Sequence, residues 1–502
     1  MAIFRQPGRA CRLITWLVLF FFFGAGVKGP AAYAFSVGEE REIGDKLLTM
    51  VRQQFTLLED PDIVQYIDGL GRGMLKDLGP QYFDFHFFVI NNKTLNAFAA
   101  PSGLIFLHSG LIEAVSNENE LVSVIAHEIG HVERRHIADR IDKSSKISAA
   151  TVAMILAGIV MGGSGGGALS EAMITGSMAA GVSLGLKFSR QDEEEADRLA
   201  FKWMQDAGRD PAAMVGMLRE LRRMYQYQGG NLPPYLLTHP EPSARLGYVQ
   251  DLLLFSNKKQ YQTTDEFDFR RIKARVLSLS QDTETLIGRY GRIVANGEGD
   301  ADAIAMAQYG LALAYMKQAR FAEAEAALAK VRARYPARAM LKADLGVLYI
   351  EAGRYQESLP LFKAALAAEP HNAFAGYYRA RALQQTGNSR QALTQYEELL
   401  SDLPEHPKLY YEIGTLKAEL KETGAGYYYL GMSHWFEGNR DNAKSFLDQA
   451  VKALPAGDSL RVKAEAVLAT IRELEEKEFS LMKPRRPGEN RPAPGRLSPG
   501  WP

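Results

Sequence analysis

The sequence predicts an α+β domain followed by an all-α solenoid of stacked helix pairs. Three observations support this prediction. An apolar, helical stretch contains the motif His127-Glu128-Ile129-Gly130-His131, shorter stretches before it alternate as β-strands do, and prolines recur at a constant interval towards the C-terminus. A chain of 502 residues with 46% apolar composition is long enough for more than one hydrophobic core.

Residues 1–34 are predicted to be a secretory signal peptide. Arginines precede an apolar run from Leu13 to Val27, and Ala32-Tyr33-Ala34 has the small residues of a cleavage site. That run is shorter than the roughly 18 residues that a membrane-spanning helix needs. An uncleaved N-terminal membrane anchor is the alternative.

The charge balance gives no indication of nucleic-acid binding, because 59 basic residues stand against 59 acidic ones. The single cysteine, Cys11, lies within the predicted signal peptide, so the mature chain would form no disulfide. Removal of residues 1–34 would leave 55 basic and 59 acidic side chains, a net charge of −4.

Two helices and two strands are predicted before the motif. Apolar residues recur every three or four positions from Ile43 to Phe55, and Glu59-Asp60-Pro61 separates this helix from a second one. Tyr82 to Ile90 alternates as a strand does. Asn96 to Leu111 is predicted to be a turn that leads into a second strand, Gly103 to His108.

The motif places two imidazoles on one side of a helix, because helical residues four apart lie one above the other. Neutral imidazoles bind zinc, and zinc lowers the pKa of a bound water. Glu128 projects beside His127 and His131 and would take the proton of that water as it attacks a peptide carbonyl. The predicted chemistry is metal-assisted amide hydrolysis. The helix is predicted to begin near Asn117 and to run to about Ile141.

A third metal ligand does not follow at the spacing that zincins with three histidines use. Arg134 stands where their glycine belongs, and Ile137 stands where their histidine belongs. His136 comes one residue early and lies well round the helix from the other two. We interpret it either as a residue that contacts a metal ligand without binding the metal itself or as a surface residue.

The acidic stretch from Asp192 to Asp197 supplies a better third ligand. Glu193 and Asp197 are four apart and share one helical face. Glu193 would complete a tetrahedral site, and Asp197 would accept the second N–H of a ligand imidazole. A solvated acidic face is the alternative interpretation.

These motifs resemble the zinc metallopeptidase family of the CAAX prenyl protease and the heat-shock protease HtpX. The resemblance rests on the H-E-x-x-H motif, on Glu193-Glu194-Glu195-Ala196-Asp197 and on Asn96-Ala97-Phe98-Ala99-Ala100-Pro101-Ser102-Gly103, and it covers roughly residues 38–255. It implies an α+β zincin-type metalloprotease domain with a small sheet and an edge strand, and one Zn²⁺ per chain. The nearest members are periplasmic chaperone-proteases.

The resemblance also implies roles for two further segments. Substrate backbone would pair with an edge strand along the cleft. The residues predicted to bind substrate there are Asn96, Ala97, Phe98, Ala99, Pro101 and Gly103. His239 and Arg245 match an H-P…R signature of the family. His239 would either ligate the resting metal as a fourth ligand or hydrogen-bond the oxyanion, and Arg245 would orient it.

Residues 146–187 form a glycine-rich, apolar segment in which Glu171 is the only charge between Lys146 and Lys187. Each apolar half is too short to cross a bilayer alone. We predict a lid or helical hairpin over the cleft. Peripheral contact with a membrane is the alternative.

The C-terminal part repeats. Pro336, Pro370 and Pro404 are evenly spaced, and small residues recur with the same period from Ala312 to Gly414. The period matches the roughly 34 residues of a tetratricopeptide repeat, whose stacked helix pairs form a concave protein-binding groove. The predicted domains are the protease domain at 35–260, a linker helix at 261–300, the tetratricopeptide repeats at 301–470 and a disordered Pro/Arg-rich tail at 471–502.

The sequence predicts two alternative functions. The first is an exported zinc endopeptidase in envelope or outer-membrane protein quality control, whose repeats recruit protein substrates or assembly proteins. Its localisation would be periplasmic, as the signal peptide and the resemblance imply. The second is a chaperone or interaction scaffold whose protease site is closed or vestigial.

Overall fold

The computed structural model describes residues 36–76, 78–143, 187–227, 235–239, 242–256, 261 and 263–482. The predicted signal peptide, the segment predicted as a lid or hairpin (apart from Lys187) and the chain after Met482 lie outside these residues. Over the described ranges, we find no helix with the length and apolar character needed to cross a membrane.

The N-terminal domain packs helices around a small sheet. Its first two helices agree with the prediction, and Asp60 caps the second by accepting hydrogen bonds from the backbone of Asp62 and Ile63. The described helices of this domain are α1 (Val37–Gln54), α2 (Pro61–Leu75), α3 (Ser109–Ala114), α4 (Glu118–Glu133), α5 (His136–Lys143), α6 (Arg190–Asp206), α7 (Ala213–Tyr227), α8 (Tyr235–Thr238) and α9 (Pro242–Phe255).

The sheet contains β1 (His86–Ile90), β2 (Ala97–Ala100) and β3 (Leu104–His108) in the order β1-β3-β2. β1 is parallel to β3, and β2 is antiparallel to it. The strand predicted from Gly103 to His108 is therefore the central strand. The edge strand is β2. The sequence predicted only a turn there, because its four residues of alanine and phenylalanine show no alternation of polar and apolar side chains.

The tight connection between β2 and β3 fixes the position of the edge strand. Gly103 has φ +80°, and a Cβ at this position would lie 2.3 Å from the carbonyl oxygen of Asp84. Phe98 and Phe106 stack across the two strands with ring centroids 5.0 Å apart. β2 is therefore held firmly beside the helix that carries the motif.

The prediction of one helix from Asn117 to Ile141 was wrong at its C-terminal end. Asn117 does cap α4, but the helix ends at Glu133, and Arg135 takes a left-handed conformation with φ +52° before α5 begins. The side chain of Arg135 forms an ion pair at 2.9 Å with Glu40, which is almost completely buried. An L-residue in that conformation costs about 1–2 kcal/mol, and the ion pair is one contact that Arg135 makes there.

The C-terminal part is a succession of antiparallel helix pairs. The linker helix predicted at 261–300 is two helices, because Asp282 caps a new one by accepting a hydrogen bond from Thr285 N. The helices are α10 (Phe267–Ser280), α11 (Thr283–Asn296), α12 (Ala301–Lys317), α13 (Phe321–Arg334), α14 (Met340–Glu351), α15 (Tyr355–Ala368), α16 (Ala373–Gln385), α17 (Ser389–Glu398), α18 (Pro407–Glu419), α19 (Thr423–Phe436), α20 (Arg440–Ala453) and α21 (Ser459–Met482).

The predicted disordered tail does not begin at residue 471. Helix α21 continues to Met482, and its Ile471 and Leu474 are buried against the preceding helices. A terminal helix that covers the last repeat in this way removes an exposed apolar face from the solenoid.

The repeats pack back against the N-terminal domain. Gln65 donates a hydrogen bond of 2.6 Å to the carbonyl oxygen of His371, and the His406 ring bonds the carbonyl oxygen of Glu59 at 2.7 Å. Between the two parts lies a buried ionic group that we call the junction cluster. Its members come from α2 with its cap, α10 and α14, and they are Asp60, Asp62, Arg271, Arg275 and Asp344.

Candidate metal and active site

Helix α4 carries His127, Glu128 and His131 into the interior, where each is at most 3% exposed. Every residue of the helix from Leu121 to Val132 is buried, so the helix is covered on several sides. Gly130 allows close approach of α6, because a Cβ at this position would lie 3.1 Å from Ala196 Cα. This contact places the acidic residues of α6 directly beside the two histidines.

Helix α6 begins at a capping box. Ser189 accepts a hydrogen bond from Asp192 N, and the Asp192 carboxylate accepts one of 2.8 Å from Ser189 N. One turn later, Glu193 and Asp197 are both 0% exposed. The alternative of a solvated acidic face is therefore excluded for these two residues.

Three predicted ligands converge on one point. His127 Nε2 lies 3.1 Å from His131 Nε2 and 3.5 Å from Glu193 Oε2, and His131 Nε2 lies 3.6 Å from Glu193 Oε1. Atoms about 2.0–2.1 Å from a tetrahedral zinc ion are about 3.3 Å apart. The donor types and their spacing therefore fit a zinc ion. Together with His239, these residues form a group that could hold a metal, and we call His127, His131, Glu193 and His239 the metal group.

Asp197 supports the first ligand from behind. Its Oδ1 lies 2.8 Å from His127 Nδ1, which leaves His127 Nε2 to face the metal position. Arg245 binds both carboxylate oxygens of Asp197 at 2.8 Å. Burial alone would raise the pKa of Asp197, but Arg245 and His127 lower it below its ordinary value, so the carboxylate is ionised.

Glu193 is held by the same guanidinium. Arg245 NH1 lies 2.8 Å from Glu193 Oε2, and His239 Nδ1 lies 2.8 Å from Glu193 Oε1. Burial raises the pKa of Glu193, but the charges of His239 and Arg245 outweigh burial and hold it well below its ordinary value. The predicted ligand Glu193 is therefore an ionised carboxylate in a buried site.

Glu128 contacts the edge strand. Its Oε2 accepts a hydrogen bond of 2.7 Å from Ala99 N on β2. Its Oε1 is buried without a hydrogen-bond partner among the described residues and lies 3.7 Å from His239 Nε2. One oxygen of this carboxylate is thus fixed, and the other is free to accept a proton inside the site.

His239 lies between the predicted base and the predicted third ligand. It is 0% exposed, and its ring stacks on Tyr235 at 4.3 Å between centroids. Arg245 was predicted to orient His239, but its contacts in the described residues are with Glu193, Asp197, His127 and Tyr235. Its NH1 donates a hydrogen bond of 2.6 Å to Tyr235 Oη, so any effect on His239 passes through Tyr235 or Glu193.

The predicted substrate-binding residues divide into two groups. Because His108 N bonds Asn96 O, the backbone groups of Ala97 and Ala99 point away from β3 towards the cleft. Phe98 is 2% exposed and packs on Phe106, and Asn96 is 0% exposed. Asn96, Phe98, Pro101 and Gly103 therefore belong to the buried strand and its turn, whereas the outward backbone of Ala97 and Ala99 lies on the side of Glu128.

The sequence interpretation missed two tyrosines. Tyr235 bonds Arg245 and stacks on His239, and Tyr248 donates a hydrogen bond to Asp197. Burial and the Asp197 charge raise the pKa of Tyr248, so its hydroxyl stays protonated and acts as a donor. The spacing of three between Arg245 and Tyr248 on α9 was an available indication, because such residues share a helical face.

The fold and the site define a metallopeptidase domain joined to tetratricopeptide repeats. Residues 64–252 match the model of peptidase family M48. Residues 309–373, 349–420 and 424–456 match models of the tetratricopeptide repeat. The chain thus contains a peptidase family M48 domain with C-terminal repeats, which confirms the predicted family and fold class.

Individual relatives point in the same direction. The beta-barrel assembly-enhancing protease of Escherichia coli strain K12 is 32% identical over 314 residues, which is 62% of each chain. The putative beta-barrel assembly-enhancing protease of Vibrio cholerae is 31% identical over 306 residues, 60% of this chain and 61% of that protein. Mitochondrial metalloendopeptidase OMA1 of Arabidopsis thaliana is 32% identical over 157 residues, 31% of this chain and 29% of that protein. These alignments span less than two thirds of each relative, and their descriptions agree with the predicted enzyme class.

Proposed function

We propose that the protein is an exported, zinc-dependent endopeptidase that hydrolyses peptide bonds of protein substrates in the bacterial envelope. The observation that carries this proposal is the convergence of lone-pair atoms from His127, His131 and Glu193 beside a carboxylate oxygen with no hydrogen-bond partner among the described residues. Arg245 pairs with Glu193 from one side at 2.8 Å, but Glu128 Oε1 is left without a hydrogen-bond partner among the described residues, and an unpaired buried acceptor is costly.

A zinc ion bound there would supply a Lewis acid and lower the pKa of a bound water. The residues of the chain would do the rest. Glu128 Oε1 would accept the proton of the attacking water and return it to the leaving amine. Ala99 N holds Glu128 Oε2 at 2.7 Å, which limits rotation of the carboxylate and keeps Oε1 directed into the site.

Substrate would bind as an extended strand. β2 is the edge of the sheet on the side of Glu128. Ala97 directs its N–H and C=O outward and Ala99 directs its C=O outward, whereas the Ala99 N–H is taken by Glu128. Backbone pairing recognises a strand with little dependence on side chains. This property suits an enzyme whose substrates are misassembled proteins rather than one defined sequence.

His239 would control access to the site. Its ring lies within 4.8 Å of the ligand atoms of the other three residues of the metal group and 3.7 Å from Glu128 Oε1, where water and a substrate carbonyl must bind. Of its two predicted roles, fourth ligand at rest or partner of the oxyanion, this position favours the first. Tyr235 would hold the ring in place by stacking.

The repeats would recruit protein substrates or assembly partners. Stacked helix pairs present a concave surface to a segment of another protein. The relatives described as beta-barrel assembly-enhancing proteases support a role in envelope or outer-membrane protein quality control. The signal peptide predicted from the sequence would deliver the protein to the periplasm.

The decisive experiment uses the purified mature chain loaded with zinc and an unfolded protein such as casein. Wild type should cleave casein, and a chelator should stop cleavage. Glu128→Gln should lose roughly 10²–10⁴-fold in rate while it retains zinc. Glu133→Gln, on the same helix but outside the site, is the matched control. Unchanged cleavage by Glu128→Gln would remove this residue from the mechanism.

The second candidate function is a chaperone or scaffold with a closed protease site. The burial of His239 and of the whole metal group supports it. Suppression of aggregation of an unfolded outer-membrane protein by Glu128→Gln, together with no cleavage by zinc-loaded wild type, would favour this function over the first.

A further inference from the structure

His136 occupies a position that the proposed mechanism does not use. It is the first residue of α5, directly after the left-handed Arg135, and it is 4% exposed. Its Nδ1 lies 2.9 Å from Nδ1 of the predicted ligand His131, and the two ring centroids are 5.0 Å apart. The end of α4 at Glu133 is what allows this contact, because in a continuous helix residues five apart point to different sides.

The other side of the His136 ring faces a carboxylate. Its Nε2 lies 3.6 Å from Glu195 Oε2, and Glu195 Oε1 lies 2.9 Å from Arg134 Nε. His131, His136 and Glu195 therefore form a line that leads from the metal position towards the surface, where Glu195 is 40% exposed.

The positions of the protons in this line are determined by elimination. His131 Nε2 faces His127 and Glu193 and must be free to ligate, so a neutral His131 carries its proton on Nδ1. His131 Nδ1 is then the donor, and His136 Nδ1 is the acceptor. His136 carries its own proton on Nε2, which is the nitrogen directed at Glu195.

The two histidine ligands are supported in different ways. His127 donates directly to a carboxylate, Asp197, at 2.8 Å. On its Nδ1 side, His131 is linked to the carboxylate of Glu195 through the imidazole of His136. Ligating histidines generally donate their other N–H to a carboxylate, a carbonyl or water, and this partner fixes the orientation of the ring.

We propose that His136 is a positioning residue that fixes the tautomer and orientation of the ligand His131 by accepting a hydrogen bond at Nδ1. Glu195 in turn fixes His136. This inference rests on the metal site of the proposed function, but it concerns metal affinity rather than cleavage. Loss of such a partner typically weakens metal binding by roughly 10–100-fold.

The test is a set of substitutions in the full mature chain, with zinc affinity measured by competition against a chromophoric chelator. His136→Leu keeps apolar bulk and removes the acceptor, and we expect roughly 10–100-fold weaker zinc binding. His136→Asn places an amide oxygen close to the position of Nδ1, so it should restore affinity to within a few-fold of wild type. His86→Asn, a substitution in β1, is the matched control and should have no effect.

A spectroscopic measurement separates positioning from general stability. The visible absorption bands of the Co²⁺-substituted protein report ligand geometry, and they should change in His136→Leu and return towards wild type in His136→Asn. A purely structural residue would instead lower the melting temperature of the metal-free protein and leave the bands of the folded Co²⁺ form unchanged.

Three results would overturn the proposal: wild-type affinity in His136→Leu, an equal loss in His136→Leu and His136→Asn, or no zinc binding by wild type. If His136→Leu fails to fold, His136→Gln replaces it, because its longer side chain moves the acceptor away from Nδ1. Equal affinity of His136→Gln and His136→Asn would then contradict the role. Zinc binding without casein cleavage in wild type would overturn the proposed function and leave this inference standing.

Discussion

Two of the buried charged groups in the described residues, the junction cluster and the metal group, differ in what their atoms face. In the junction cluster, carboxylates face guanidinium groups: Arg271 lies 2.6 Å from Asp62 and 2.8 Å from Asp344, and Arg275 lies 2.5 Å from Asp60. In the metal group, Arg245 pairs with Glu193 at 2.8 Å, but potential ligand atoms also face one another, and His127 Nε2 and His131 Nε2 are 3.1 Å apart. The first arrangement pairs opposite charges, whereas the second directs acceptor atoms at a common centre.

This difference separates a structural ionic group from a functional one. Burial of charge costs several kcal/mol per ion, and only close partners of opposite charge offset this cost. The two junction atoms without a well-directed hydrogen bond, Asp62 Oδ2 and Arg275 Nε, still form an ion pair at 3.1 Å. Glu128 Oε1 and His239 Nε2 lack such a pair at hydrogen-bond distance among the described residues. Unpaired acceptors that converge, rather than buried charge itself, mark the site.

The largest effect should come from the third ligand. Glu193→Gln removes the only anionic donor of the metal group, so zinc affinity should fall by more than the roughly 100-fold that loss of an outer partner costs, and cleavage should fall with it. Glu194→Gln, at the exposed neighbouring position, is the control and should bind zinc normally. Zinc titration by calorimetry measures the affinity of both variants. Normal binding by Glu193→Gln would mean that this carboxylate is not a ligand.

Disruption of the junction cluster should lower the stability of the protein and leave its zinc affinity unchanged. Asp344→Asn leaves Arg271 without a charged partner on one side, and breaking a buried pair destabilises by about 3–5 kcal/mol. Zinc affinity of the folded protein should not change. Urea denaturation of the metal-free protein measures the loss, and Glu351→Gln, which breaks an exposed pair with Arg381, should cost less than about 1 kcal/mol. If Asp344→Asn impairs zinc binding without loss of stability, the two groups are not separate.

Two pairs of residues at the metal site could be predicted from local sequence information, whereas His239 was assigned only from the resemblance to a known family. His127 and His131, and Glu193 and Asp197, are each four apart, and helical periodicity alone places each pair on one face. The junction cluster could not be predicted, because its members come from elements that are distant in sequence, such as those of Asp60 and Asp344. The end of α4 likewise coincides with a contact between residues distant in sequence, the one between Arg135 and Glu40.

The edge strand could be predicted only in part. Its sequence, Ala97 to Ala100, has no alternation, and only pairing with β3 makes it a strand. The resemblance to a known family placed an edge strand in this region, but it could not show which residues face the cleft. Backbone direction, rather than side-chain type, decides that Ala97 and Ala99 border the site and that Phe98 is core.

A smaller effect, of opposite sign, should follow removal of His239. His239→Ala opens the position between Glu128 Oε1 and Glu193, so casein cleavage should rise, by roughly tenfold if the blocked state costs about 1.4 kcal/mol of barrier. Initial rates at fixed zinc occupancy measure this change. A fall in rate at unchanged zinc affinity would assign His239 to the oxyanion instead.

The smallest effect should come from Tyr248, at the outside of the metal group. Tyr248→Phe removes one hydrogen bond to Asp197, which keeps its two bonds to Arg245 and its contact with His127. A single hydrogen bond contributes about 1 kcal/mol, so zinc affinity should fall roughly fivefold. Arg245→Lys should cost more, because an ammonium cannot bind both oxygens of Asp197 and also reach Glu193. If Tyr248→Phe equals Arg245→Lys in chelator competition, then Tyr248 and not the guanidinium holds Asp197. The metal group would then depend on a neutral donor, unlike the junction cluster.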